Sequence, residues 1–183
     1  MMNARGLAPL VWGEGPVLFE IFLEPTCPFS NKALKKLKPF LHAMGEGSVT
    51  VRVYLHVQPW HMFSAVITRA ILAASLLPDG RDAAWKMLEC VADHRDEFEF
   101  HHHSSGANMD ATPHTILKRL ENYSGFSLTD VFQDESVTSE LKRHTRYSRQ
   151  NGIHVSPTIM LNGLIDNRFS SDDTVEKWMS YCK

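Results

Sequence analysis

The chain is poor in cysteine. Its 183 residues hold only Cys27, Cys90 and Cys182, too few and too scattered for a disulfide framework. It also lacks long apolar runs. None approaches the ~18 residues of a membrane span, and the first twelve residues contain no continuous apolar core of signal-peptide length. A reduced, cytoplasmic protein with no membrane partner is expected. Neither sign of charge dominates: 19 Lys and Arg against 21 Asp and Glu give a net charge of −2, which offers nothing to nucleic acid or anionic lipid. There is no phosphate-cradling glycine loop, no supportable Ser/His/Asp constellation and no internal repeat. What remains is an ordinary globular composition, 43% hydrophobic and 22% charged. A chain of this length buries close to ~70% of its unfolded surface and needs no covalent or metal staple.

Hydrophobic periodicity divides the chain at residues 1–58, 59–150 and 151–183. In the first segment, residues 1–15 read as a loose lead-in in which Trp12 finds something to pack on. Val17–Leu23 is apolar on both faces except at Glu20, as in a central strand. Pro28 to about Met44 is an amphipathic helix with Ala33, Leu34, Leu37, Phe40 and Leu41 inward, and Pro39 predicts a kink or early stop. Val49–Val57 is a second, β-branched strand, completing a β–α–β unit with parallel strands. The middle segment shows only helical periodicity. Phe63, Val66, Ile67, Ala70, Ile71 and Ala74 form one apolar face; further helices are expected over 82–94, 113–120 and 135–150, the one over 113–120 opened by Thr112-Pro113. The last segment predicts a strand from Pro157, an Asn162-Gly163 hairpin turn, a return strand over 164–168, and a final helix opened by Asp173 and Glu176, with Val175, Trp178, Met179 and Cys182 inward.

The chemistry concentrates where the first strand meets the first helix, at Glu24-Pro-Thr-Cys27-Pro-Phe-Ser30. Proline suits the first helical position because its missing N–H would have no intrahelical partner. Cys27 then sits at the N-cap, where the free N–H groups of Phe29 and Ser30 and the helix dipole favour the thiolate, the reactive form. The competing reading of the same residue is a small buried hydrophobe.

Taken with Val155-Ser-Pro157-Thr near the other end, this order of elements resembles the thioredoxin superfamily, and within it the DsbA-like branch, in which a helical domain interrupts an α/β thioredoxin-like fold. The resemblance implies thioredoxin-like parts at 1–58 and 151–183 around a helical insertion at 59–150. It implies a cis bond before Pro157, which would lie against Cys27 and leave the Ser156 backbone free to pair with an extended substrate. Dithiol members carry Cys-x-x-Cys at the turn, whereas this chain has Ser30 in the second position, so no internal disulfide can form there. Ser30 retains an O–H to offer the sulfur, and Phe29 adds no positive charge where strong oxidants tend to place a histidine.

The expected catalytic residues are therefore Cys27 and Ser30, with Pro28, Phe29, Ser156, Pro157 and Trp60 forming the substrate surface. Cys90 is the candidate resolving thiol in the insertion, and Cys182 the candidate on the final helix. His56, Gln58 and His61 follow the second strand, at the end of the sheet where ligands gather in open α/β folds. No metal site is expected: His101, His102 and His103 are consecutive and unaccompanied by cysteine, unlike structural zinc ligands, and read as a solvated loop. Three functions fit the pattern. One is a monothiol thiol–disulfide oxidoreductase of the disulfide-isomerase kind, acting on a protein, peptide or glutathione thiol or disulfide. Another is a glutathione-dependent transferase or isomerase, resembling the kappa-class transferases and hydroxychromene-carboxylate isomerases. The third is a non-catalytic peptide-binding module. No bound cofactor is expected beyond glutathione as co-substrate, and a homodimer is left open.

Overall fold

A computed structural model of the chain describes residue 7 and residues 10–183. Its centre is a five-stranded sheet of order β1-β3-β2-β4-β5. Strand β2 (Val17–Leu23) runs parallel to β3 (Val49–Leu55), with Phe19 opposite Val51 and Leu23 opposite Leu55. The helix α1 (Pro28–Met44) connects them, and Pro39 interrupts neither its start nor its end: it runs through to Met44, so the expected early stop does not occur. On the other side of β2, β4 (Thr158–Leu161) pairs antiparallel, followed by the two-residue return strand β5 (Leu164–Ile165). Asn162 and Gly163 turn the hairpin with φ of 51° and 84°, the left-handed pair that such a tight turn demands.

Odd-numbered residues of β2 and β3 face one core: Phe19, Ile21, Leu23, Val49, Val51, Val53 and Leu55 are buried in a single cluster that runs on into the helical block. Phe19 packs at 4.7 Å on Phe40 of α1 and at 5.7 Å on Trp178 of α6 (Val175–Tyr181). The helices between β3 and β4 are α2 (Ser64–Ala74), α3 (Arg81–Asp93), α4 (Pro113–Ser124) and α5 (Glu135–Gln150). Thr112 caps α4 by accepting the Thr115 N–H, and Thr115 returns the favour to the Thr112 N–H, a complete capping box.

Four expectations need correction. The lead-in is not loose where it is described: Val11–Trp12 forms β1, antiparallel to β3 at the sheet edge, and Trp12 meets Trp85 edge-on at 5.1 Å. The return strand stops at Ile165 rather than residue 168: the Asp166 N–H still donates to the Ile159 carbonyl, but its carboxylate accepts the Arg168 N–H in a turn that leads the chain away. The last helix is capped by Thr174, one residue beyond the expected Asp173, and Asp173 instead accepts the Ser170 N–H. On that helix Trp178 alone is fully buried, while Cys182 lies half-buried.

The reverse face of the sheet packs under α5. Phe22, Tyr54 and Tyr147 stack on one another, and the buried Glu20 carboxylate accepts both tyrosine hydroxyls, at 3.0 Å from Tyr147 and 3.3 Å from Tyr54. His144 bolts α5 to β3: the Leu55 N–H donates to Nδ1 at 2.9 Å, so the ring proton sits on Nε2, which donates to Glu140 at 3.1 Å. Burial holds His144 below the usual imidazole range despite the Glu140 charge nearby. Burial opposes ionisation of Glu140 too, but the Arg143 and His144 hydrogen bonds and charges hold it down to about 2. A base with a depressed folded-state pKa takes up its proton more readily once unfolded, so stability is lost as pH falls below ~6.5. His144→Gln is expected to flatten that loss between about pH 6.5 and 5 relative to the unmodified chain. Urea midpoints across that range measure it; parallel pH profiles for the two proteins would refute it.

Candidate active site

Residues 24–30 occupy the joint between β2 and α1. The chain leaves the sheet at Glu24, turns through a Glu24 O to Cys27 N–H bond of 3.1 Å, and enters the helix at Pro28. Cys27 is the N-cap residue, as the sequence indicates, but its sulfur caps nothing: no helix N–H donates to it. Instead the thiol lies 3.5 Å from the carbonyl oxygen of Ser156 and donates to it. The Ser156–Pro157 peptide is cis. The loop that carries it is tied down by Gln58, whose side-chain amide donates to the His154 carbonyl at 3.0 Å. Two segments remote in sequence thus meet at one sulfur.

Ser30 is buried, and its hydroxyl accepts the Glu24 N–H at 3.2 Å rather than bonding the sulfur, so its part is to close the turn. Pro28 and Phe29 are exposed, Ser156 and Pro157 half-buried. Trp60 is 47% exposed, which makes it a surface residue and not a core tryptophan. Phe29, Met62 and Val155 are likewise large apolar side chains left uncovered. Each is within two residues of a group that bonds the cysteine turn. By contrast, a cavity of about 400 Å³ between Trp12, Leu37, Leu41, Val51 and Trp85 contains none of the turn residues.

Sequence reasoning missed the network behind the turn. Glu24 is fully buried at the end of β2, and its Oε2 accepts the Thr26 N–H at 2.8 Å and the Thr26 hydroxyl at 2.9 Å. His61 Nδ1 lies 3.0 Å from the Thr26 hydroxyl and bonds Glu99. Arg95 donates to the Thr26 carbonyl at 2.6 Å and also pairs with Glu99. Burial pushes the Glu24 carboxyl above the ordinary carboxylate range, against the pull of His61 and its hydrogen bonds. Burial alone would lower His61, but the Glu99 hydrogen bond and the two carboxylates outweigh it and raise the imidazole. Burial opposes ionisation of Glu99 as well, yet the hydrogen bonds from His61 and Thr26 with the His61 and Arg95 charges leave it lowered. A signal was present: Glu99 stands between Phe98 and Phe100, and a carboxylate flanked by two phenylalanines is one the fold is apt to bury.

The other cysteines are poor nucleophiles. Burial, with Asp93 beside it, pushes the Cys90 thiol up to about 11, and burial with Asp166 does the same for Cys182. All three cysteines are free. His101 and His102 are exposed and line a small cavity with Arg95 and Glu99, while the His103 ring meets His61 edge-on at 5.3 Å. His56 is buried, and burial with the nearby His154 charge holds it below the usual imidazole range.

No protein-family model matches the chain, and neither does any curated protein. Among solved structures it is similar to a "putative protein-disulfide isomerase" from Pseudomonas syringae, at 54% identity and a TM-score of 0.94, covering 96% of this chain and 98% of that one. It is also similar to DsbA of Chlamydia trachomatis, at 16% identity and TM-score 0.64, covering 98% and 93%. The thiol–disulfide exchange protein α-DsbA2 of Wolbachia pipientis matches at 12% identity and TM-score 0.67, covering 96% and 85%. These last two share the fold.

The network makes a stability prediction. Arg95→Leu removes the donor to the Thr26 carbonyl and the cation paired with the buried Glu99. The expected loss is about 2–3 kcal/mol in urea unfolding. A change below about 0.5 kcal/mol, the range of ordinary surface substitutions, would show that the pair does not hold the turn.

Proposed function

Since the chain belongs to the DsbA-like branch of the thioredoxin superfamily, we propose that it is a thiol–disulfide oxidoreductase of the disulfide-isomerase kind, working through Cys27 alone. The observation that carries this reading is the junction itself: a cysteine at the head of α1, with its sulfur on the Ser156 carbonyl and Ser30 where a second cysteine would stand. The Cys27 thiolate attacks one sulfur of a substrate disulfide. A Cys27–substrate disulfide forms, the old S–S bond breaks, and the departing sulfur leaves as a thiolate. A second thiolate then attacks the mixed disulfide and frees Cys27. If that thiolate belongs to the substrate, the outcome is rearrangement with no net redox change. If it comes from a low-molecular-weight thiol of the glutathione class, a second such thiol completes a net reduction. Cys90 and Cys182, held near 11, supply too little thiolate to resolve the intermediate internally.

The exposed Phe29, Trp60, Met62 and Val155 give the substrate an apolar surface around the sulfur. That supports a protein or peptide substrate presenting an apolar segment. The site is tested by refolding a scrambled disulfide-bonded protein in a glutathione buffer. Cys27→Ser is expected to reduce the catalysed rate to background, roughly a hundredfold or more, and Ser30→Ala to leave most of it. With glutathione disulfide alone, intact mass should show one adduct, mapping to Cys27. An adduct on Cys90 or Cys182, or undiminished activity in Cys27→Ser, would overturn the reading.

A further inference from the structure

Thiol exchange at Cys27 makes no use of the donor atoms gathered behind it. Glu24 directly follows β2, His61 lies in the turn before α2, and Glu99 follows the single helical turn Arg95–Phe98 that succeeds α3. All three are buried, and each offers one ligand atom within 4.8 Å of the others. His61 Nδ1 stands 3.5 Å from Glu24 Oε2. Donors on a tetrahedral zinc ion with bonds of ~2.0–2.2 Å are spaced by about this much, ~3.4 Å, whereas His61 and Glu99, in direct hydrogen-bond contact, would part to admit the ion. One imidazole and two carboxylates form a donor set that suits such an ion.

A second observation points to a ligand independently. Glu24 is fully buried, yet among the described residues its Oε1 has no hydrogen-bond partner. An interior carboxylate oxygen left unpaired is costly and rare. A cation bound here satisfies it. The supporting shell is also in place: Thr26 holds Glu24 through Oε2, and Arg95 holds Glu99 through Oε2, leaving Glu99 Oε1 on the His61 side. Carboxylates that ligate metals are typically fixed by outer hydrogen bonds of this kind. The Arg95 charge weakens the attraction for a cation without occupying the ligand atoms. A bound dication takes the place of the proton that His61 now shares with Glu99. The exposed His103, its ring 5.3 Å from that of His61, stands at the solvent side of the group.

We propose that Glu24, His61 and Glu99 form a binding site for a divalent transition-metal cation of the zinc class, with His103 placed to complete it. The Cys27 sulfur is not among the clustered donors. Metal binding is therefore separable from thiol chemistry.

The test uses the full chain, stripped with a chelator and titrated with Zn²⁺, with bound metal measured by dialysis and elemental analysis. One ion per chain is expected, retained by Cys27→Ser and by the double variant His101→Ala/His102→Ala. Glu99→Gln and His61→Ala are expected to weaken binding by roughly a hundredfold or more, and His103→Ala by roughly tenfold. Because His61→Ala removes a buried partner and can unfold the chain, Co²⁺ bound to the unmodified protein gives an independent reading. It should show ligand-field bands without thiolate-to-cobalt charge transfer. Substoichiometric zinc, tight binding that survives in Glu99→Gln, loss in Cys27→Ser or in the His101/His102 variant, or a thiolate band would each overturn the proposal.

Discussion

Thr26 is the residue on which the geometry of the site depends, because every polar group it owns is committed. Its N–H and hydroxyl go to Glu24, its hydroxyl also meets His61, and its carbonyl accepts from Arg95. A residue so held has little freedom in φ and ψ, and Cys27 follows it directly. The partners come from different layers: Glu24 from the sheet, His61 from the turn before α2, Arg95 from the turn after α3. The setting of the sulfur is therefore owned jointly by the sheet and the helical block. The unbroken hydrophobic cluster between them is what makes that joint ownership rigid. Burying two carboxylates, an imidazole and part of a guanidinium costs several kcal/mol per ion before pairing, and the arrangement survives because nearly every polar atom is matched.

The serine at position 30 shapes the turn directly. Its oxygen accepts the Glu24 N–H in a place closed to water. A thiol is a weaker acceptor than a hydroxyl. Ser30 thus gives the turn a firmer acceptor than a thiol at that position would. The remaining cysteines are half-buried, and burial pushes both thiols up to about 11.

Much of this frame was legible in the residues. The two apolar strands, the Cys27-Pro28 helix start, Thr112-Pro113 and Asn162-Gly163 are local signals, each with one dominant physical meaning, and each stands where it was read. Features set by partners distant in sequence were not legible. β1 is two residues long and exists because Val11 and Trp12 find the edge of β3. The choice of Thr174 over Asp173 as cap depended on Asp173 having another claimant in Ser170. Glu24, His61 and Glu99 are separated by 37 and 38 positions (61 − 24 and 99 − 61), and no periodicity connects them. For the same reason His101–His103 read alone suggested only a wet loop; the significance of His103 lies in the ring it faces.

The surface around the sulfur bears on which substrates suit it. Glutathione is a charged tripeptide, and its recognition calls for cations and backbone amides offered to its carboxylates. Lys32 lies with its ammonium 5.6 Å from the Phe29 ring but is already 2.7 Å from Asp172, and Arg95 is committed to the Thr26 carbonyl and Glu99. The exposed Phe29, Trp60, Met62 and Val155 are contributed by the head of α1, the turn before α2 and the loop before β4. Apolar side chains impose little directional demand, and methionine and tryptophan accommodate varied shapes. In the proposed monothiol reaction no second cysteine hastens release, so the dwell time of the mixed disulfide would rest on how firmly the substrate is held and on when another thiol arrives. An apolar surface supplies the holding without dictating sequence, which is the property an isomerase working on partly folded chains needs.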